Sequence, residues 1–312
     1  MDYLDINSLD DLNKLSLIPE SIKKIYFSAK FNHPIKEIPD QIEEIYFGDL
    51  FDSQIEKLSK NLKKIEYGYH YNTEINNLPD GLIELVLGDR FNKEIKYYPK
   101  TLKKLKINNS CYDKKLDNLP ENLEVLEICS SYINFSDLSK NLKKLKIIGV
   151  MKTEIDNLPE NLEELLLECF LDKPIINLPS NLKKLTVGQY SHFNYEKLPV
   201  NLKYLTLLGK IYNFSNNFPT NLEYLEFGVK FNKEINNLPK TLKYLKFGDL
   251  FNKSIDNLPD NIEELRLGYG FKFKILSLPK NLKRLDFYNR KYEYKNELIE
   301  LCKANNIILK IY

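Results

Sequence analysis

Residues 221–240 read N-L-E-Y-L-E-F-G-V-K-F-N-K-E-I-N-N-L-P-K, and the next block reads almost the same way. Leu222, Leu225 and Phe227 return as Leu242, Leu245 and Phe247. Gly228 returns as Gly248, Phe231-Asn232 as Phe251-Asn252, Ile235 as Ile255, and Leu238-Pro239 as Leu258-Pro259. Self-similarity at a fixed period of 20–50 residues marks a solenoid or array and outranks every local signal. Outward from this stretch, the first Leu-like position recurs at Ile22, Ile42, Leu62, Leu82, Leu102, Leu123, Leu142, Leu162, Leu182, Leu202, Leu222, Leu242, Ile262 and Leu282. That is fourteen coils at 20-residue spacing, with one 21/19 pair around Leu123.

The strand pattern L-x-x-L-x-φ, in which φ is apolar, resembles the leucine-rich repeat. It departs from that repeat where an Asn or Cys is expected three residues after the third apolar position: Lys230, Leu250, Arg90 and His70 stand there. The order Phe-Asn, Ile, Leu-Pro resembles the FNIP repeat family of slime moulds and giant amoeba viruses, over residues 19–288. Phe-Asn stands at 31–32, 91–92, 231–232 and 251–252, with Phe-Asp at 51–52 and Tyr-Asn at 71–72. Many members of that family carry an F-box that links them to ubiquitin ligase. The eighteen residues before the first repeat are too few for its three helices, so an adaptor role of that kind does not carry over.

The expected fold is therefore a leucine-rich-repeat-like, right-handed parallel β-solenoid. It comprises an amino-terminal cap (1–18), the repeats (19–288) and a carboxyl-terminal helix–strand cap (289–312). A solenoid overrides the length prior for two domains, because each coil contacts only its neighbours. Within a coil, the second and third Leu-like residues face the core, and the residues between and before them face out. Leu-Pro closes the coil, since Pro cannot continue a helix; Ser59 and Ser139 replace it twice. Two residues later stands Asn in nine coils, or Ser21, Thr101 or Thr241, which reads as turn chemistry or a stacked Asn ladder. At the amino end, Ile6, Leu9 and Leu12 suit a short amphipathic turn. At the carboxyl end, 291–305 reads as helix through Leu298, Leu301 and Cys302, and 307–312 as a last strand.

Composition removes several classes of function. Lys plus Arg (46) nearly balance Asp plus Glu (44), so no field favours nucleic acid or an anionic membrane. Arg, the residue of bidentate phosphate recognition, occurs only at 90, 266, 284 and 290. No apolar run approaches the ~18 residues of a membrane span, and the first twelve residues lack the pattern of a secretory signal. Cys111, Cys129, Cys169 and Cys302 are far apart and read as reduced thiols of an intracellular protein. Sequons at Asn108, Asn134, Asn213 and Asn252 matter only in a secreted chain. His33, His70 and His192 lie in different coils, which argues against a metal site. Phosphate-binding and nucleophile motifs are missing.

Charge at the strand start alternates between coils: Lys23-Lys24, Glu43-Glu44, Lys63-Lys64, Glu84, Lys103-Lys104, Glu124, Lys143-Lys144, Glu163-Glu164, Lys183-Lys184. Acidic pairs such as Glu163-Glu164 admit a general-acid reading, but alternation has a structural cause. Opposite charges on adjacent strands stabilise by roughly 0.2–1 kcal/mol, and like charges destabilise. The alternation then breaks. Tyr204, Tyr224 and Tyr244 occupy outward positions in three consecutive coils, Lys183 and Lys203 follow one another, and G-Q-Y-S-H-F-N-Y (188–195) loses the Phe-Asn register. Tyr combines apolar area with a polar tip and is enriched at interfaces. The column is either a partner site, with Lys203, Lys243, Glu226 and Lys246 around it, or a ladder that only supports the sheet. Tyr26 and Tyr46 form a smaller pair with the same two readings, and Ile83, Val86 and Leu166 are further outward apolar residues. The expected function is a non-enzymatic protein-interaction scaffold, intracellular and cytoplasmic (host cytoplasm for a viral protein). It is expected to act as a monomer, with no cofactor and a protein partner. A passive structural element, virion-associated if the viral resemblance is close, is the alternative.

Overall fold

The structure, a computed structural model, describes residues 2–130, 138–151, 155–171, 175, 177–190, 198–209 and 217–312. His192, the Asn134 and Asn213 sequons and most of the half-coil 188–195 lie outside the described residues. The chain is a parallel β-solenoid of about fourteen turns with a helix and strand at its carboxyl end. It divides into two compact units, Met1–Leu162 and Glu163–Tyr312.

In the first unit the strands are β1 (Tyr3–Ile6), β2 (Lys24–Phe27), β3 (Ile35–Glu37), β4 (Glu44–Tyr46), β5 (Ile55–Lys57), β6 (Lys64–Glu66), β7 (Glu84–Leu87), β8 (Lys104–Tyr112), β9 (Val125–Ser130) and β10 (Lys144–Met151). The sheet runs β1-β2-β4-β6-β7-β8-β9-β10, and β3 and β5 pair separately. In the second unit β11 (Glu164–Leu171), β12 (Lys184–Val187), β13 (Tyr204–Leu207), β14 (Tyr224–Phe227), β15 (Tyr244–Lys246), β16 (Glu264–Leu267), β17 (Arg284–Phe287) and β18 (Ile308–Ile311) pair in chain order. Pairing is parallel and in repeat register, as in Leu205↔Leu225↔Leu245↔Leu265↔Leu285.

Each Leu-like position forms a buried column, apart from the half-buried Ile22 at its amino end. The Phe of Phe-Asn adds a column of rings. Phe31, Phe51, Tyr71, Phe91 and Tyr112 stack at 6.2, 6.0, 6.2 and 6.2 Å between successive centroids, and Phe231, Phe251 and Phe271 at 6.2 Å. A tight turn delivers the ring, closed for example by Phe251 N–H donating to Gly248 O at 3.3 Å. Glycine is required there because the previous coil's backbone runs against it. A Cβ on Gly248 would meet Gly228 O at 2.3 Å. At Asn108, Cys129, Ile148 and Glu168, which stand in this slot, the strand runs on, so β8 to β11 have six to nine residues; at Ser28, Leu208 and Tyr288 it stops after four.

The Asn of Phe-Asn has a purely accepting role. Asn32 Oδ1 takes the Asp52 N–H at 2.9 Å, Asp52 Oδ1 that of Asn72 at 2.8 Å, and Asn72 Oδ1 that of Asn92 at 2.9 Å. Only an acceptor is used, which is why Asp52 substitutes freely. The Asn after Pro is the donating counterpart. Asn61, Asn141 and Asn201 give Nδ2–H to the preceding coil's Asp40, Glu121 and Ser180 carbonyls at 2.9–3.0 Å. The expected ladder thus runs from side chain to backbone, satisfying main-chain groups that the turns leave open. Ser59, in place of Pro, is buried and donates to Ile42 O at 2.6 Å.

The ends differ from the sequence expectation in detail. Ile6 is a buried strand residue of β1, whereas Leu9 is exposed on a separate helix, α1 (Leu9–Asn13), with a Ser8/Asp11 capping box. The expected single amphipathic turn is therefore a strand followed by a helix. A polar pair, Asn7-Ser8, ends the strand and caps the helix. At the other end α2 (Lys295–Ala304) starts later than 291, because Tyr292 is drawn into the core and donates its hydroxyl to Phe273 O at 2.6 Å. Leu298 and Cys302 are buried as expected, and Leu301 is half-buried.

Candidate functional site

The outward face of the second unit's sheet follows from strand alternation: Leu205, Leu225 and Leu245 point in, so Tyr204, Tyr224 and Tyr244 point out. Register sets them side by side in the column Lys184↔Tyr204↔Tyr224↔Tyr244↔Glu264. Tyr224 and Tyr244 are coplanar, with centroids 4.4 Å apart and 3° between planes, whereas Tyr204 is tilted by 41° at 6.3 Å from Tyr224. Tyr204 is 44% exposed; its two partners are half-buried. Tyr224 donates its hydroxyl to Glu226 Oε2 at 2.7 Å, and Lys246 Nζ meets Glu226 Oε1 at 2.6 Å. Burial, and then the Glu226 carboxylate, raise the Tyr224 phenol far above its usual range; burial also raises that of Tyr244. Both phenols therefore stay protonated near neutral pH. Lys203 pairs with Glu223 at 3.3 Å, and exposed Lys243 bridges its neighbours through backbone bonds to Glu223 and Glu263.

The column continues into residues the sequence reading did not single out. The Arg266 guanidinium lies 5.7 Å over the Tyr244 ring, with its Nε 3.0 Å from Asp286 Oδ2. That N–H is not aimed at the carboxylate and has no hydrogen-bond partner. Arg284 Nε donates to Asp286 Oδ1 at 2.9 Å, and Asp286, at 1% exposure, is buried on the outward face. The available signal was the rarity of Arg: two of four stand in adjacent coils beside the Asp at 286.

The first unit holds the smaller cluster. Tyr26 and Tyr46 stack at 4.6 Å and 5°, Tyr3 meets Tyr26 edge-on at 5.7 Å, and Lys64 Nζ lies 4.8 Å over Tyr46. Val86 is buried in β7, and Ile83, just before that strand, is exposed. The charge alternation forms the expected cross-strand pairs: Lys24–Glu44 at 3.2 Å, Lys64–Glu84 at 3.4 Å, Lys104–Glu84 at 2.8 Å, and Glu124 with Lys103 at 3.0 Å and Lys143 at 2.9 Å. Glu163 pairs with Lys183 at 2.9 Å, which assigns it to register. Among the described residues no His, Cys, Asp and Glu group could hold a metal ion, and no helix is long and apolar enough to cross a membrane.

Comparison with known proteins agrees with this architecture. The FNIP repeat pattern matches residues 14–50, 69–110, 214–250 and 251–290, half of the chain. Among solved structures, CroV588, described as a novel circular LRR protein, is 25% identical with a TM-score of 0.58, over 88% of this chain and 50% of that one. The chain thus spans about half of CroV588. YopM from Yersinia enterocolitica WA-314 is 18% identical with a TM-score of 0.55, over 95% of this chain and 83% of that one, a likeness of fold. No curated protein matches the chain. With its stacked Phe and Asn columns, its Leu-Pro turns and these matched blocks, the chain belongs to the FNIP repeat family.

Proposed function

We propose that the chain is a non-enzymatic protein-interaction scaffold whose partner docks on the outward face of the second unit, centred on Tyr204. Repeat solenoids of the leucine-rich type are binding surfaces more often than catalysts. The observation that carries the reading is the Tyr204–Tyr224–Tyr244 column, which replaces charge with aromatic area on three neighbouring strands and leaves Tyr204 44% exposed. In this reading the Tyr224–Tyr244 stack and the Glu226–Lys246 pair form a rigid floor, and Tyr204, Lys203 and Lys243 make the contacts. The setting is intracellular, the host cytoplasm if the protein is viral. The buried thiols of Cys129 and Cys302, pushed up to about 11 by burial, fit a reducing compartment.

The test is quantitative capture from the source cell with wild type and Tyr204→Lys, followed by titration of the purified partner. Interface hot spots cost about 2 kcal/mol or more when lost, so binding should weaken at least roughly thirtyfold. The melting temperature should fall only slightly, because exposed positions shift stability by about 0.5 kcal/mol or less and the new lysine beside Lys184 costs roughly 0.2–1 kcal/mol. Unchanged binding would refute the site. The coplanar Tyr224–Tyr244 stack also favours a second reading, a passive structural element. Under it, the triple change Tyr204→Lys, Tyr224→Glu, Tyr244→Lys lowers the melting temperature and alters no capture.

A further inference from the structure

The two outermost strands carry burial that their own coils do not complete. In β2 and β17 the core-facing Ile25, Leu285 and Phe287 are fully covered. In β18 the equivalent Leu309 and Ile311 are only half-buried, as is Leu4 in β1, where Ile6 is fully covered. On the outward side Ile308 is 62% and Tyr3 40% exposed. Among the described residues no strand pairs with the outer edge of β1 or of β18. Each edge is a four-residue strand that carries a single charge, Asp5 or Lys310, and neither contains a proline or a bulge.

We propose that these edges are complementary, and that β18 of one copy adds in parallel to β1 of a second copy, continuing the repeat register across the junction. The register is set by the neighbours. Arg284, Leu285, Asp286 and Phe287 face Ile308, Leu309, Lys310 and Ile311, and Tyr3, Leu4, Asp5 and Ile6 face Lys24, Ile25, Tyr26 and Phe27. Advanced by one strand, the same register sets Ile308 beside Tyr3, Leu309 beside Leu4, Lys310 beside Asp5 and Ile311 beside Ile6. The half-covered core residues then meet core residues, and the exposed Ile meets the exposed Tyr. The one cation meets the one anion, by the rule that pairs Lys24 with Glu44 inside the chain. Such a contact is head-to-tail, so it generates a closed ring or an open filament. It replaces the monomer expected from the sequence and uses no residue of the tyrosine column.

Sedimentation of the purified 312-residue chain over a range of concentrations tests this. The average mass should rise with concentration above the 36.8 kDa of one chain. Asp5→Lys places two lysines at the junction, and its own-chain neighbour in the register is Tyr26, so folding should survive. Association should weaken about tenfold, since opposed like charges replace an attractive pair. Adding Lys310→Asp to Asp5→Lys reverses the pair and should restore association, with melting curves confirming that each variant folds. A mass of one chain at every concentration overturns the proposal. So does Asp5→Lys associating as tightly as wild type, which would mean unregistered contact or pairing of β18 with itself.

Discussion

Truncating Phe251 to Ala removes a ring that is 1% exposed and packed 3.7 Å from Phe247 and 6.2 Å from Phe231 and Phe271. A buried Phe truncated to Ala costs ~3–5 kcal/mol, because lost transfer energy adds to the cavity left behind. Unfolding entropy of ~2.1 cal/mol/K per residue makes ~0.65 kcal/mol/K for a chain of this length, so a cooperative melt should fall by ~5–8 °C. If only the second unit melts together, the fall should be about twice as large. The control lies one residue away. Leu250 is 56% exposed, so Leu250→Ala should change stability by about 0.5 kcal/mol or less. Phe251→Leu keeps most of the apolar area and should fall between them. Coils couple only to neighbours, so amide exchange should rise first around Phe247 and Phe271. Differential scanning calorimetry with hydrogen exchange reads all of this. Phe251→Ala melting with Leu250→Ala would refute the assignment of the Phe-Asn ring to the core.

Gly248→Ala should destabilise by ~1–3 kcal/mol, as overpacking does, since its Cβ would fall 2.4 Å from Gly228 C, a backbone atom held by the sheet. Gly81→Ala, whose nearest neighbour is the movable Lys63 Nζ at 3.3 Å, should be close to neutral in the same melting assay. Tyr98 buries a hydroxyl with no hydrogen-bond partner, where most coils place Leu. Tyr98→Phe should therefore raise the unfolding free energy, read from denaturant melts, by about 1 kcal/mol. Hydrogen bonds from Lys143 and Lys103 hold the Glu124 carboxyl below its usual 4.5. A carboxylate lowered in the folded state stabilises above its unfolded pKa, and the contribution is lost as pH falls through the folded value. Denaturant midpoints should drop on acidification through the carboxylate range. Glu124→Gln should flatten that drop, and high salt should weaken the effect in wild type.

The period, the inward columns, the Leu-Pro turns and the charge alternation were legible because each coil repeats them, and parallel strands set equivalent positions side by side. The long strands β8–β11 were less legible. They coincide with a residue other than glycine after the third apolar position, but Ser28, Leu208 and Tyr288 hold that slot behind four-residue strands, so the slot alone does not set strand length. The β3–β5 pair starts at the repeated Ile (Ile35 and Ile55), and Leu4 and Ile6 stand in register with Ile25 and Phe27, but the repeat pattern does not say which coils pair there. In the candidate site, sequence placed three tyrosines on one face but could not distribute their roles. Tertiary packing did that, laying Tyr244 flat between Tyr224 and Arg266, spending the Tyr224 hydroxyl on Glu226 and leaving Tyr204 tilted and open. It also buried Asp286 between two arginines. Repetition determines which residues become neighbours; ring tilt, hydroxyl partner and exposure depend on the side chains on both flanking strands at once, and only the assembled stack brings those together.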